Sequence, residues 1–539
     1  RRTGQRTTNA PMFLRLLSPT IGRRALHRCP AARTTMSSFA TSSNAPPPTP
    51  SFANSRLTPQ ALSEYYEAQF DSKGIEKFSV KDPASGAEIA ALDLHGAAEA
   101  KIAVDRAHDA FRNEWNPNRV TAQARYDALV RWERLIRENA RDLATLLTLE
   151  NGKPISEATI EVAGGADSVA WFAEEARRID GDVMQGAKRR QRVMVLKQPV
   201  GVVGAITPWN FPFSMITRKI GPALAAGCTV VVKPSEETPL SAIALTYLAH
   251  EAGFPKGGVQ IVCGDAKAIG AELTGSSKVR KIGFTGSTAV GKLLMAQSAS
   301  SIKRISLELG GNAPFIVFED ADLDRAALAL LGSGLRNAGQ TCICADKVLV
   351  HDDVHDAFAE KLAEKMARLR LGHGLDKSTT HGPLINAAAL DKVEAHVTEA
   401  VEAGATLVVG GSRAHPGEGL KGHFFQPTLL TDVKVDMSCF REENFGPVLS
   451  LHRFKTDEEA LEIANDTEYG LAAYFYTSSM RRSWTISEGL EYGMVGCNDV
   501  AVTGVTTPFG GWKQSGLGCE HSKYGIEEFL QKKAVFLTF

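Results

Sequence analysis

The run Asn337-Ala338-Gly339-Gln340-Thr341-Cys342-Ile343-Cys344 is where chemistry is easiest to read in this chain of 539 residues. Gly339 permits a close turn and sets the Cys342 thiol among polar neighbours. A second feature is Leu307-Glu308-Leu309-Gly310-Gly311, where a glutamate closes an apolar run. A carboxylate there is costly to bury unless it is paired or functional. A third is Thr207-Pro208-Trp209-Asn210-Phe211-Pro212, an amide side chain on a rigid prolyl turn. One cysteine alone is more often a small buried hydrophobe than a nucleophile. Cysteine, glutamate and asparagine at three strand or loop ends make a nucleophile, a base and an oxyanion donor.

The loop Gly286-Ser287-Thr288-Ala289-Val290-Gly291-Lys292-Leu293 follows a strand-like run and opens a helix-like one. Glycine lets backbone N–H groups approach phosphate, and a helix N-terminus favours its charge. The loop nearly fits the GxxxxGK[ST] pattern, but Leu293 cannot ligate magnesium, which sets phosphoryl transfer aside. No well-placed GxGxxG is present. His351 and His355 have the i, i+4 spacing of a zinc helix. No third ligand is linked to them, and Asp353 reads as the N-cap of a helix that follows a strand. No metal is expected.

These residues must be positioned by elements that alternate. Strand-like runs at Val200–Ile206, Thr229–Val232, Val259–Val262, Lys281–Thr285 and Ile305–Leu309 are separated by helical segments Ser214–Ala226, Leu240–Ala252 and Thr288–Ser298. That rhythm predicts βαβ units, a mostly parallel sheet and ligands at strand C-terminal ends. A second series runs from near Pro314 to about Pro508. Asp127–Leu147 has the apolar spacing of one amphipathic helix. Val183–Gln198 reads as a hairpin and Lys533–Phe539 as a last strand, both candidates for pairing between subunits.

Lys+Arg and Asp+Glu each number 61, so the chain is formally neutral. That argues against a dedicated nucleic-acid binder, which carries a basic excess. No stretch of ~18 apolar residues offers a membrane span. The eight cysteines form no CxxC pair, and free thiols in a reducing compartment fit better than a disulfide framework. Residues 1–63, however, hold nine Arg and no Lys, Asp or Glu. Together with Met12–Leu17, this reads as a mitochondrial transit peptide followed by the Pro-rich linker Ala45–Pro50; a start at Met36 would omit most of it and leave a cytosolic protein. Removing 1–63 leaves 52 basic against 61 acidic residues, a charge of −9.

Taken together, the motifs resemble the aldehyde dehydrogenase superfamily from about Phe70 to Phe539. They are Glu150-Asn151-Gly152-Lys153-Pro154, Pro208 to Pro212, Lys233-Pro234-Ser235-Glu236, Phe284 to Thr288, Glu308 to Gly311, Gly339 to Cys342, Glu442-Glu443-Asn444-Phe445-Gly446-Pro447 and Pro508 to Gly516. Gly339–Cys344 and the segment from Lys513 to Gly525 look most like its succinate-semialdehyde branch. The resemblance implies an α/β fold. A variant Rossmann domain for NAD would span 64–180 and 200–310, and a catalytic domain 311–524. A hairpin and C-terminal strand (181–199 and 525–539) would build a homodimer or homotetramer. It also implies roles: Cys342 as nucleophile, Asn210 as oxyanion donor, and Glu308 as the base that activates water. Thr207, Pro208, Trp209, Lys233, Pro234, Ser235, Glu236, Gly270, Gly286, Ser287, Gly291, Glu443 and Phe445 would line the cofactor. Arg218, Arg336 and Thr503 would hold the carboxylate of succinate semialdehyde, and Cys344 would form a redox pair with Cys342. Glutarate semialdehyde is the alternative substrate, since one methylene changes binding by only ~1–3 kcal/mol. A catalytically silent member of the fold is the other alternative. Glu236 favours NAD, because a carboxylate repels the 2′-phosphate of NADP; Lys233 and Ser235 leave NADP possible.

Overall fold

The computed structural model describes residues 40–41, 48–71 and 74–539. Of the stretch read as transit peptide and linker, residues 1–39 and 42–47 therefore lie outside those described. Residues 52–63, which the sequence reading placed in the leader and linker, belong to the folded body. Thr58 caps the helix Pro59–Glu67 through its hydroxyl, and Leu57 and Leu62 are fully buried. The Ala53 and Asn54 N–H groups both donate to Asp142, at 3.1 and 2.7 Å. Arg56 thus stays with the fold, and removing only what precedes it leaves 53 basic against 61 acidic residues.

Two larger sheets carry the structure. In the first, five parallel strands lie in the order Val259–Ile261, Thr229–Lys233, Val202–Ile206, Val279–Thr285, Arg304–Glu308, and the short strand Gly516–Leu517 closes the edge antiparallel. Val202–Ile206 and Thr229–Lys233 are buried at every position. Strands covered on both faces by helices need apolar side chains on both faces, hence their continuous runs of Val, Ala and Ile. The second sheet has seven strands, from Thr406–Val409 at one edge through Ala345–His351 and Ala313–Val317 to Met494–Cys497. Only the Thr406–Val409 edge is antiparallel. Three residues separate the strand ending at Glu308 from Asn312, which leads directly into Ala313–Val317. The glycine pair therefore sits where one sheet hands over to the other.

A third sheet pairs Asp182–Gln185 with Gln191–Pro199, and Gln191–Pro199 with Leu530–Thr538 over nine registers. It leaves Val183 and Phe536 largely exposed.

Two expectations need correction. The apolar stretch 127–147 is two helices, Ala122–Glu138 and Ala140–Asn151, divided at Asn139, whose φ of −105° and ψ of 13° are not helical. The Asn139 side chain donates to Leu135 O and accepts from Asn54 Nδ2, each at 2.8 Å. An asparagine amide competes with the helix backbone in this way. Asp353 does not cap the helix His355–Met366: Val354 holds that position with no side-chain cap, and the Asp353 N–H points back to His351 Nδ1. His351 ends a strand and His355 begins the helix, so the pair does not share one helical face. Among the described residues no group of three His, Cys, Asp or Glu is placed to hold a metal, and no helix is long and apolar enough to cross a membrane.

Candidate active site

In the first sheet the strand order reverses between Val202–Ile206 and Val279–Thr285, which are neighbours although two strands and three helical crossovers lie between them in the chain. A crevice opens at the carboxyl ends of strands at such a reversal, and ligands bind there. The residues that follow these two strands are Thr207–Asn210 and Gly286–Ser287. Ser287 caps the helix Thr288–Ser298, its Oγ accepting from Val290 N. A side chain at position 286 would strike the Phe284 ring, with a Cβ 2.4 Å from Cζ. Backbone N–H groups at a helix start with no side chain in the way suit a pyrophosphate.

The next strand along ends at Lys233. Its ammonium, nearly buried, donates to Glu236 across Pro234 and Ser235, and Ser235 Oγ accepts from Glu237 N. Thr207 N donates to Lys233 O, while the Thr207 hydroxyl is buried with no partner, as a ligand-facing group would be. Trp209 and Phe445 meet edge to face, their centroids 5.5 Å apart. Phe445 has a φ of 53°. Gly291 makes room for Leu309, and Gly270 lies buried inside the helix Ala266–Gly275, facing Leu294 of the next helix. The arrangement fits a dinucleotide: an anion-binding helix start, an acidic group near the sheet end and an aromatic pair, Trp209 and Phe445, that joins the loops of the two sheets.

Cys342 lies in the turn between the strained segment Arg336–Gly339 and the strand Ala345–His351. Asn337, Ala338 and Gly339 all have left-handed backbone, with φ of 51°, 54° and 78°. Only glycine serves at 339, since a Cβ would also lie 2.0 Å from Gly446 O. The thiol loop and the Glu442–Pro447 loop therefore touch backbone to backbone. Hydrogen bonds hold the unusual turn: Asn337 N donates to Glu157 Oε2 at 2.9 Å, and Gln340 Nε2 donates to Asn337 O at 2.9 Å. Asn210 Nδ2 donates to Gln340 O at 3.2 Å, so the amide faces the thiol loop. A primary amide carries two N–H donors, and the second remains for a ligand.

Charge is concentrated around the thiol. Burial, assisted by the carboxylate of Glu443 and then that of Glu308, pushes Cys342 up to about 12, and Arg218 pulls it back. Glu308 ends its strand fully enclosed, with neither oxygen hydrogen-bonded. Burial, then the charge of Glu520, raises its carboxyl well above the ordinary range, against Lys219 and Arg218. Glu443 accepts from Gly311 N at 3.0 Å, and burial pushes it up to about 8. A buried carboxyl with an elevated pKa and free oxygens can take up and release a proton.

Arg218 lies on the helix Ser214–Ala226, one turn in from the prolyl turn. Its guanidinium stacks on Phe509, 4.7 Å from the ring centroid, and Nε and Nη1 are buried with no hydrogen bond. Arg336 stacks on Phe211 at 4.9 Å. Its charge lowers the Glu157 carboxyl, which burial raises, without an ion pair between them among the described residues. Thr503 is half-buried in an irregular segment. Cys344 is buried two residues beyond Cys342, its N–H donating to Thr341 O, and both thiols are free.

Sequence reading missed several neighbours. Lys219 donates to Thr285 Oγ1 and to Glu520, 301 residues later in the chain. His521 is buried; burial, then the charge of Arg218, holds it well below its usual range, against the Gly504 backbone. Neither Glu520 nor His521 belongs to a recognisable motif. The one available signal was their position within the closing segment that had already been matched.

Comparison with known proteins shows the family. The Aldehyde dehydrogenase family model matches residues 70–535. A 3-sulfolactaldehyde dehydrogenase of Pseudomonas putida is 52% identical over 86% of this chain and 94% of its own. A mitochondrial succinate-semialdehyde dehydrogenase of Oryza sativa subsp. japonica is 51% identical over 86% of each chain. The crystal structure of an NADP-dependent enzyme from E. coli superposes with a TM-score of 0.84 at 50% identity, covering 86% of this chain and 95% of that one. With the family model spanning most of its length and relatives at this level of identity, the chain belongs to the aldehyde dehydrogenase family.

Proposed function

We propose that the protein oxidises succinate semialdehyde to succinate with reduction of NAD, the step that completes 4-aminobutyrate degradation. The observation that carries the substrate is Arg218. Two of its donors are buried without a hydrogen-bond acceptor, and its charge acts on the Cys342 thiol. A guanidinium fork matches a carboxylate in geometry, and unsatisfied buried donors are costly until one arrives. Arg336 on the Phe211 side and the Thr503 hydroxyl complete a clamp for the distal carboxylate. In a body with an acidic excess, such local positive charge draws in an anionic aldehyde that the overall field repels.

In this reading Cys342 adds to the aldehyde carbon, its proton passing to a buried base. Negative charge develops on the former carbonyl oxygen, where the free N–H of Asn210 Nδ2 and the Cys342 N–H would meet it. One such donor is typically worth about 3–4 kcal/mol of barrier. The nicotinamide, when bound, supplies the hydride acceptor. The resulting thioester is hydrolysed by water whose proton goes to Glu308, and succinate leaves as the thiol is regenerated.

Thr207 to Trp209, Lys233 to Glu236, Gly286, Ser287, Glu443 and Phe445 would hold the dinucleotide. Glu236 would accept from the adenosine ribose hydroxyls, which supports NAD over NADP. The third sheet, with exposed apolar side chains on Val183 and Phe536, supports assembly into dimers or tetramers. The Arg-rich leader supports import into the mitochondrial matrix. Steady-state kinetics over succinate semialdehyde, glutarate semialdehyde and uncharged aldehydes, each with NAD and NADP, test the reading. The highest kcat/KM belongs to succinate semialdehyde; a clear preference for a longer or an uncharged aldehyde overturns the assignment.

A further inference from the structure

The segment Glu150–Pro154 stands out in sequence yet contributes nothing to the chemistry above. Its side chains reach the prolyl turn from behind. Asn151 Nδ2 donates to Trp209 O at 2.9 Å, and Lys153 Nζ donates to Asn210 O at 2.8 Å. Two residues of one segment thus hold two consecutive carbonyls of the other. Lys153 is fully enclosed and paired with Glu161, equally enclosed, at 2.5 Å. The other Glu161 oxygen accepts from Phe213 N and Ser214 N, at 3.0 and 3.1 Å, which fixes the start of the helix that carries Arg218. Asn337 Nδ2 donates to the same Asn210 carbonyl at 3.0 Å, tying in the thiol loop. Asn210 O is therefore gripped from two sides while its side-chain amide points to Gln340 O.

A buried ion pair contributes little net stability, because desolvation offsets most of the attraction. What this pair does supply is direction. An oxyanion donor must sit within hydrogen-bonding reach of an atom that carries charge only in the transition state, and supporting contacts set that aim.

We propose that Lys153, held by Glu161, is a positioning residue for the Asn210 amide. It acts through the Asn210 carbonyl and does not touch the substrate. This rests on the reading of Asn210 as an oxyanion donor.

The test is a double-mutant cycle between this pair and Asn210. Lys153→Met combined with Glu161→Gln removes the ammonium without stranding the Glu161 carboxylate, and the glutamine still offers an acceptor to Phe213 N and Ser214 N. In the Asn210 background it lowers kcat at least tenfold, with NAD binding unchanged. In the Asn210→Ala background the same pair of changes costs less than threefold, because there is no amide left to aim. An equal loss in both backgrounds, or no loss in either, overturns the proposal. Full activity of Asn210→Ala alone defeats the reading of Asn210 itself and the positioning role with it. Should the methionine variant not fold, Lys153→Gln with Glu161→Gln replaces it. Its shorter amide reaches Asn210 O less well, and a loss of threefold or more confined to the Asn210 background supports the proposal. A loss repeated in the Asn210→Ala background, or none in either, overturns it.

Discussion

Arg218 Nη1 stands 3.8 Å from Glu520 Oε2, near enough to feel its charge and too far for a hydrogen bond. Glu520 gives its other oxygen to Lys219. The arginine is therefore held in the crevice by a partner that does not saturate it, and a substrate carboxylate can complete it.

Removal of either arginine should discriminate by substrate charge. Charged hydrogen bonds contribute about 1.5–3 kcal/mol each. Arg218→Ala and Arg336→Ala are expected to lower kcat/KM for succinate semialdehyde by roughly ten- to a hundredfold, mostly through KM. An uncharged aldehyde of similar length should change by less than threefold. Equal effects on both substrates would sink the carboxylate clamp.

Glu308 should set the acid limb of the pH profile. A base works only when deprotonated, and burial raises this carboxyl well above its ordinary value. The rate should therefore climb with pH through a pKa higher than that of an exposed glutamate. Glu308→Gln should lower steady-state kcat by at least about a hundredfold, the usual scale for a lost general base. Stopped-flow measurement should still show one equivalent of NADH formed in a burst, because deacylation is the step that needs the base. Loss of the burst along with turnover would place Glu308 earlier in the reaction.

Cofactor choice is expected to turn on Glu236. The wild-type enzyme should show a higher kcat/KM with NAD than with NADP. Glu236→Ala should raise the NADP value and narrow the ratio by tenfold or more. Lys233 already lies against this carboxylate and would then be free to meet a 2′-phosphate. A wild-type preference for NADP refutes the assignment.

Cys344 is expected to make oxidation of the thiol reversible. It is buried at the far end of the turn that begins at Thr341, so closing a Cys342–Cys344 disulfide requires that turn to move. Peroxide should inactivate the enzyme and dithiothreitol should restore it. In Cys344→Ala the inactivation should become irreversible, since no resolving thiol remains. Recovery as complete as in the wild type rules out the switch.

Much of the scaffold was legible because it is local. The helices Ser214–Ala226 and Thr288–Ser298 keep the bounds read from the sequence, and each inner strand of the first sheet lies within two residues of its expected place. Apolar runs, prolines and capping serines act over a few residues, so they can be read without the fold. The break at Asn139 could not, because its side chain answers to Asn54, 85 residues earlier. Residues 52–63 looked like linker because they lack acidic groups, yet what seats them is Asp142.

The same division runs through the site. The sequence by itself determined which residue types are present and that Cys342, Glu308 and Asn210 each lie at a strand or loop end. It also determined the family, through ordered motifs, and the Arg-rich character of the first segment. Only the tertiary structure decided that Glu520 restrains Lys219 and Arg218, that Lys153 and Asn151 hold the turn behind Asn210, and that Gly339 meets Gly446. The reason is physical. Element identity follows from interactions between near neighbours, whereas the reactivity of a buried charge depends on which distant groups the chain folds around it, and no local pattern encodes those.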